Sequence, residues 1–307
     1  MIQANKLKVV VTGGAGFIGS NVVNQLIADG FDVHIIDNLS GGKKENLNSQ
    51  AEFHEVDIRD LEKIKPIIAG AQYVFHLAAL PRVQFSIENP VETNDVNVVG
   101  TVNVLVAAKA GGVKRVIYSA SSSAYGDQPT MPLIENMPAS PKSPYGLQKY
   151  LGELYCRLWS EVYGLETVSL RYFNVYGPGQ SDEGAYALVI AKFLKQKGLA
   201  QAMTITGDGN QTRDFTNVKD VVWANILAMK SEKVGKGEVI NIGRGQNCSV
   251  KKIAELIGGA AEYIPARLEP KDTLADNSLA KKLLGWEPTI SIEEGIQELK
   301  TMTGFTV

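Results

Sequence analysis

The chain reads as an α/β protein built on a doubly wound parallel sheet, with a smaller α/β lobe beside it. Three observations carry that reading. Short β-branched runs alternate with helical patterns through the first half of the chain, each helical stretch long enough for a crossover between parallel strands. A glycine-rich turn, Thr12 to Gly19, joins the first run to the first helical pattern. From Tyr172 to Ala185 the sequence loosens into residues rich in Gly, Asn, Pro and Gln before a shorter set of elements begins.

In order, residues 7–12 (LKVVVT) predict the first strand, and Ile18, Val22, Val23, Leu26 and Ile27 recur at helical spacing until Asp29-Gly30 stops the helix. Residues 32–37 (DVHIID) complete a β-α-β unit. Strands follow at 52–56, 73–77, 115–119 and 166–171, separated by helices near 61–69, 93–111 and 145–163. Such alternation requires a sheet covered on both faces. Beyond the loose segment the pattern predicts a helix at 186–198, a strand at 203–206, a helix at 218–231, a strand at 239–241 and two late helices. Residues 1–172 with about 214–242 are thus expected to form one domain, and about 173–213 with 243–307 the smaller lobe.

Bulk properties exclude several classes. Lys plus Arg is 31 against 33 for Asp plus Glu in 307 residues, without a basic tract, so neither nucleic acid nor an anionic membrane is an expected partner. The polar N-terminus and the lack of an apolar run of about 18 residues point to a soluble protein without a signal peptide. Cys156 and Cys248 have no metal-ligand spacing, which suits a reduced, cytoplasmic protein. His34, His54 and His76 show no metal partners in the sequence, so no metal site is expected.

The chemistry begins at the turn. Gly13, Gly16 and Gly19 have the G-x-x-G-x-x-G spacing. Gly13 would allow the tight turn, Gly16 the approach of backbone amides to a pyrophosphate, and Gly19 close packing of helix on sheet. Asp37 ends the second strand 18 residues beyond Gly19, where a carboxylate accepts from ribose hydroxyls. It would repel a 2′-phosphate, and Asn38 and Leu39 follow rather than arginine, so NAD is expected over NADP. Tyr145 and Lys149, four apart on a helix, share a face, so the ammonium could favour an ionised phenol. Poising a phenol of pKa ~10 near 7 takes about 4 kcal/mol, to which that cation and an oxidised nicotinamide would both contribute. Ser121 lies 24 residues upstream of Tyr145.

With His76-Leu77-Ala78-Ala79 and Arg171-Tyr-Phe-Asn174, these motifs resemble the extended short-chain dehydrogenase/reductase superfamily, and within it the nucleotide-sugar epimerase/dehydratase family, from Thr12 to about Pro288. The resemblance implies a Rossmann-like domain with bound NAD. It puts Phe17 and Ile18 of the glycine loop, Asn38, Asp57, Ile58, Leu77, Ala78 and Ala79 along the cofactor, and gives Lys149 the nicotinamide ribose. It implies Ser121, Tyr145 and Lys149 as catalytic residues, Ser122 and Ser123 as sugar contacts, and Asn174, Arg213 and Arg267 as diphosphate contacts, Arg267 displaced by one place from the usual pattern.

Related 4,6-dehydratases carry an Asp-Glu pair directly after the catalytic residue, and decarboxylases a glutamate. Here those places hold Ser122 and Ser123. The implied reaction therefore stops at oxidation and re-reduction of one sugar carbon, a 4-epimerisation through a 4-keto sugar. In similar UDP-hexose 4-epimerases the residue matching Thr273 walls the sugar pocket; a small one admits an N-acetyl group, so UDP-N-acetylglucosamine is expected beside UDP-glucose. A UDP-glucuronate 4-epimerase, a nucleotide-sugar reductase or dehydrogenase, and a catalytically silent NAD-binding regulator are the alternatives. Helices beginning near Glu92 and Ser143 could form a homodimer's helical bundle, or pack within the monomer.

Overall fold

A computed structural model describes residues 6–180, 188–265 and 272–304. The first part runs β1 (Lys8–Thr12), α1 (Phe17–Ala28), β2 (Asp32–Asp37), β3 (Glu52–Glu55), α2 (Leu61–Ile68) and β4 (Tyr73–His76). There follow α3 (Val83–Glu88), α4 (Pro90–Asn94), a π-helical turn at Asp95–Val99, α5 (Gly100–Ala110), β5 (Arg115–Ser121), α6 (Pro144–Tyr163) and β6 (Glu166–Tyr172). The remainder comprises β7 (Val175–Tyr176), α7 (Val189–Gly198), β8 (Met203–Thr206), β9 (Thr212–Asp214), β10 (Thr216–Asn217), α8 (Val218–Lys230) and β11 (Lys236–Ile242). It closes with β12 (Asn247–Ser249), α9 (Val250–Ile257), β13 (Ala261–Ile264), α10 (Ser278–Leu284) and α11 (Ile292–Met302).

Seven parallel strands form one sheet in the order β11-β6-β5-β4-β1-β2-β3. The order reverses direction between β1 and β4, which opens a crevice at the carboxyl ends of the strands. Alternation along each strand divides the apolar side chains between two cores. Val9, Val11, Val33, Ile35 and Phe75 pack with α1 and α8 on one face. Val10, Ile36, Val74 and Val116 pack with α2, α5 and α6 on the other. A third core, including Phe193, Ile205, Ile253 and Ile296, belongs to the later elements, where β8 pairs with β13 and β9 with β12. Ala280, Leu284 and Trp286 return to the first core, so the C-terminal stretch is shared between the two.

The expected helix at 93–111 is interrupted by the π-helical turn. That turn aims the buried amide of Asn97 at Leu80, whose N–H it accepts at 2.8 Å and whose carbonyl it donates to at 3.1 Å, and at the Gln148 side chain, 2.8 Å away. A polar side chain inside an apolar helical run gives no periodic signal, which is why the sequence pattern reads through it. Three late helices are present among the described residues, α9, α10 and α11, where two were expected. The edge strand β13 and the short α3 were also not expected, each lacking a strong apolar period.

Candidate active site

A cavity of about 970 Å³ opens over the carboxyl ends of the strands, between the sheet and the later elements. Its cofactor half is built by the glycine turn. Gly13 has φ +73°, and a Cβ there would lie 2.6 Å from the Ala78 nitrogen; a Cβ on Gly19 would lie 2.0 Å from the Gly13 carbonyl oxygen. Gly19 therefore lets α1 sit against the turn itself, which brings the helix's N-terminus to the strand ends. That N-terminus starts at Gly16 with no side-chain cap, leaving first-turn amides to meet an anion.

Asp37 is buried at the end of β2 and accepts from the Ala15 amide at 3.0 Å and the Leu39 amide at 2.8 Å. Burial raises its pKa, and these two bonds pull it back down. The carboxylate thus holds the glycine turn and its own turn together, while still lining the cavity. Asp57 accepts from Asn38 at 2.8 Å and from the Arg59 guanidinium at 2.7 and 3.0 Å, and the Arg59 bonds lower its pKa. Ile58, Leu77, Ala78, Ala79, Phe17 and Ile18 complete the wall. An uncapped helix end, a cradle that a Cβ would fill and a carboxylate at the second strand's tip together fit a dinucleotide with a free 2′-hydroxyl.

The candidate catalytic residues lie where β5 meets α6. Ser143 caps α6 by accepting from Gly146 at 3.1 Å, and Pro144 takes the first turn, where its missing N–H costs nothing. The Tyr145 amide donates to Ser86 Oγ at 3.0 Å, which ties the start of α6 to α3. Burial pushes the Tyr145 phenol up to about 12, offset in part by its hydrogen bond with Ser121. Ser121 ends β5 and accepts from the Ser123 amide at 3.1 Å, so its hydroxyl is held in place. Ser122 and Ser123 follow along the cavity wall.

Lys149 corrects one expectation. Its Nζ donates to the Ser119 carbonyl at 2.7 Å and lies 5.0 Å from the centre of the Tyr118 ring. Burial pulls its pKa down to about 8, against the raising effects of Cys156 and Glu153. Ser121, not Lys149, is the group that offsets burial at Tyr145 here. A buried ammonium must find acceptors, and the β5 carbonyl is within its reach. One turn further along α6, Glu153 grips Arg171 of β6 through two bonds of 2.8 and 2.7 Å, with both side chains buried. The Arg171 guanidinium also covers the Tyr125 ring at 4.4 Å. The end of β6 and the helix bearing Tyr145 and Lys149 are locked together in this way.

The opposite wall carries Asn174 and Arg213, which line the cavity as expected. Asn174 has φ +29°, in the left-handed region that asparagine tolerates better than most residues. Its amide donates to the Asp214 carbonyl and to Thr273 Oγ1, each at 3.3 Å. Arg213 donates to the Thr212 carbonyl at 2.8 Å. The neighbouring Asp214 carboxylate is occupied by the backbone amides of Arg244, Gly245 and Ala275 at 2.7, 2.9 and 3.0 Å. Thr273 is not among the lining residues, contrary to its expected place in the sugar wall. Its hydroxyl accepts from the Asn174 side-chain amide and from the Asp214 backbone N–H, each at 3.3 Å. Arg267 lies outside the described residues.

Among the described residues the cavity contains two carboxylates, Asp37 and Asp57. Asp37 ends β2, three strands from β5, about 14 Å at ~4.8 Å per strand; Asp57 follows β3, one strand further away. Sequence reasoning missed Lys43, Asn46, Arg82, Gln84 and Gln211, which also line it. They lie on loops and short elements whose approach to the site depends on the tertiary fold.

His76, at the carboxyl end of β4, is a core residue. Its ring nitrogens meet Thr12 Oγ1 at 2.7 Å and Thr101 Oγ1 at 2.9 Å, and burial holds its pKa near 3.

The fold and cavity define a dinucleotide-dependent enzyme, with Ser121, Tyr145 and Lys149 lining the same cavity. The NAD dependent epimerase/dehydratase family matches residues 9–243, and the chain belongs to that family. NAD is its cofactor. The chain is 41% identical over 300 residues to a putative UDP-glucose 4-epimerase of Methanocaldococcus jannaschii, covering 95% of this chain and 96% of the relative. It is similar in structure to the UDP-glucose 4-epimerase of Thermotoga maritima solved with UDP-glucose, at TM-score 0.92 and 40% identity over 97% of this chain and 98% of that one. It is also similar to the UDP-N-acetylglucosamine 4-epimerase of Methanobrevibacter ruminantium M1 in complex with UDP-N-acetylmuramic acid, at TM-score 0.91 and 37% identity over 97% and 100%. No helix among the described residues is long and apolar enough to cross a membrane.

Proposed function

We propose that this protein is a UDP-sugar 4-epimerase that interconverts the C4 epimers of UDP-glucose and of UDP-N-acetylglucosamine. The observation that carries this reading is the lack of a carboxylate near Tyr145 among the described lining residues, where Ser122 and Ser123 follow Ser121. Eliminating water across C5 and C6, or releasing carbon dioxide, needs a further acid or base at that point. Serine hydroxyls supply neither at neutral pH.

NAD held by the glycine turn and Asp37 would supply reversible hydride chemistry at C4, with no net consumption of cofactor. The chain's own residues move the proton. Tyr145 removes it from the sugar 4-hydroxyl and gives it back after the keto sugar has turned over. Ser121, bonded to the phenol, orients the reacting oxygen. Burial pushes the phenol up to about 12, so Tyr145 would need the positive charge of an oxidised nicotinamide beside it to act as a base near neutral pH. Lys149 fixes the nicotinamide ribose from its seat on the Ser119 carbonyl. Asn174 and Arg213 hold the diphosphate, and a planar guanidinium suits two phosphoryl oxygens. Arg267 is assigned the same ligand on sequence alone. Thr273, small and hydrogen-bonded to Asn174, leaves room for an N-acetyl group.

The acting form is a homodimer in the reducing cytoplasm. Leu147, Leu154, Leu158 and Val162 are exposed along one stripe of α6, and Val91 on α4 and Val99 on the π-helical turn are exposed nearby. A second copy laid across these helices would cover them. The division into an NAD-binding domain and a substrate lobe follows the separate third core.

Incubation with UDP-glucose or UDP-N-acetylglucosamine without added cofactor, read by proton NMR, tests the reading. Each substrate is expected to yield its C4 epimer with no net NADH. Stoichiometric NADH formation would instead identify a dehydrogenase.

A further inference from the structure

The chain has three histidines, and two of them meet at the sheet edge away from the active site. Strands β2 and β3 pair in parallel with His34 opposite Glu52 and Ile36 opposite His54. Residues two apart on a strand share a face. Asp32 and His34 on β2 and Glu52 and His54 on β3 therefore project from one side of the outermost strand pair. His34 is buried, His54 half-buried and Glu52 exposed.

Three donor atoms converge. His34 Nδ1 is 3.2 Å from His54 Nε2, His54 Nε2 is 3.4 Å from Glu52 Oε1, and His34 Nδ1 is 3.6 Å from Glu52 Oε2. Metal bonds of about 2.0–2.1 Å arranged tetrahedrally place neighbouring ligand atoms about 3.3–3.4 Å apart. The His34–His54 and His54–Glu52 separations have that size, and with the two Glu52 oxygens turned to different rings, one ligand atom from each residue lies within 4.8 Å of the others. The second nitrogen of His34 faces Asp32 Oδ2 at 3.4 Å, the carboxylate partner that orients a ligating imidazole and fixes its tautomer. The nearby Lys8 ammonium donates to the Ala69 carbonyl at 3.2 Å.

We propose that His34, His54 and Glu52 form a binding site for a zinc-class divalent transition metal, with water as the fourth ligand on the solvent side. Imidazole and carboxylate donors at this spacing suit zinc, cobalt, nickel or copper rather than calcium or magnesium. The ion would staple the four-residue edge strand β3 to β2, just before the chain turns into Asp57 and Ile58 of the cofactor wall. A sequence reading that weighs each histidine alone does not find it, because the third ligand arrives through strand register.

The test is titration of untagged protein with cobalt(II), followed by its visible d–d absorption. One equivalent is expected to give the intense bands of four-coordinate cobalt, displaced by one equivalent of zinc. His54→Ala is expected to abolish the bands while retaining the wild-type circular dichroism. The exposed Glu52→Gln, which leaves the packing untouched, is expected to weaken binding at least about 10-fold. Absence of four-coordinate bands in the wild type, or unchanged binding in Glu52→Gln or in folded His54→Ala, overturns the proposal.

Discussion

Tyr145→Phe is expected to lower kcat by about 10²- to 10⁴-fold, the range for losing a positioned proton-transfer group. The variant keeps the ring that α6 buries and loses only the hydroxyl bonded to Ser121. NAD content, read from the absorbance of cofactor released on denaturation, should therefore equal that of the wild type. The same pair of proteins reports the ionisation itself. In NAD-free protein the phenol is pushed up to about 12, so no tyrosinate absorbance belonging to Tyr145 should appear at neutral or mildly alkaline pH. With NAD bound, a tyrosinate signal present in the wild type and missing from Tyr145→Phe should emerge at lower pH. Full turnover by the variant would remove the proposed base.

Glu153→Gln is expected to destabilise the fold by about 3–5 kcal/mol, because it leaves the buried Arg171 guanidinium without its counter-charge. Both side chains are almost fully buried, at 2% and 4% exposure, so solvent screens the pair little. Urea unfolding midpoints measure the loss. Glu153 is also one of the groups that raise the pKa of Lys149, so its removal favours the neutral amine in the folded variant. A stability change below about 1 kcal/mol would mean that Arg171 finds compensation elsewhere. Its remaining partners are the Tyr125 ring and the Glu135 carbonyl at 3.5 Å.

Much of this was legible in the sequence because local physics and tertiary fold agree at many of the strands. The β-branched runs that predict strands at 32–37, 203–206 and near 166–171 are strands at those places. Glycines 13 and 19 have the roles that their spacing implies, since both leave room where a Cβ would collide with backbone. Ser121, Tyr145 and Lys149 come to one cavity because α6 packs on β5, as helices must pack on a sheet covered on both faces. What stayed hidden depends on direction rather than on position. Helical spacing puts Lys149 on the face of Tyr145 but does not say that its ammonium reaches back to the Ser119 carbonyl. Motif matching aligns Thr273 with a pocket wall but does not say that its hydroxyl is engaged by Asn174 and the Asp214 N–H. The π-helical turn at Asn97 and the meeting of His34, Glu52 and His54 exist only through contacts distant in sequence.

The central claim is that proton transfer at this site is confined to the C4 oxygen, with Tyr145 as the base and no carboxylate able to carry the sugar beyond a ketone. Running the epimerisation of UDP-glucose or UDP-N-acetylglucosamine to equilibrium in deuterium oxide and reading both epimers by proton NMR tests it most directly. Hydrogen is expected to be retained at both C4 and C5 of each epimer, with the C6 hydroxyl kept. Deuterium at C5, or a 6-deoxy-4-keto product, would contradict it by revealing a second acid or base at the reacting end.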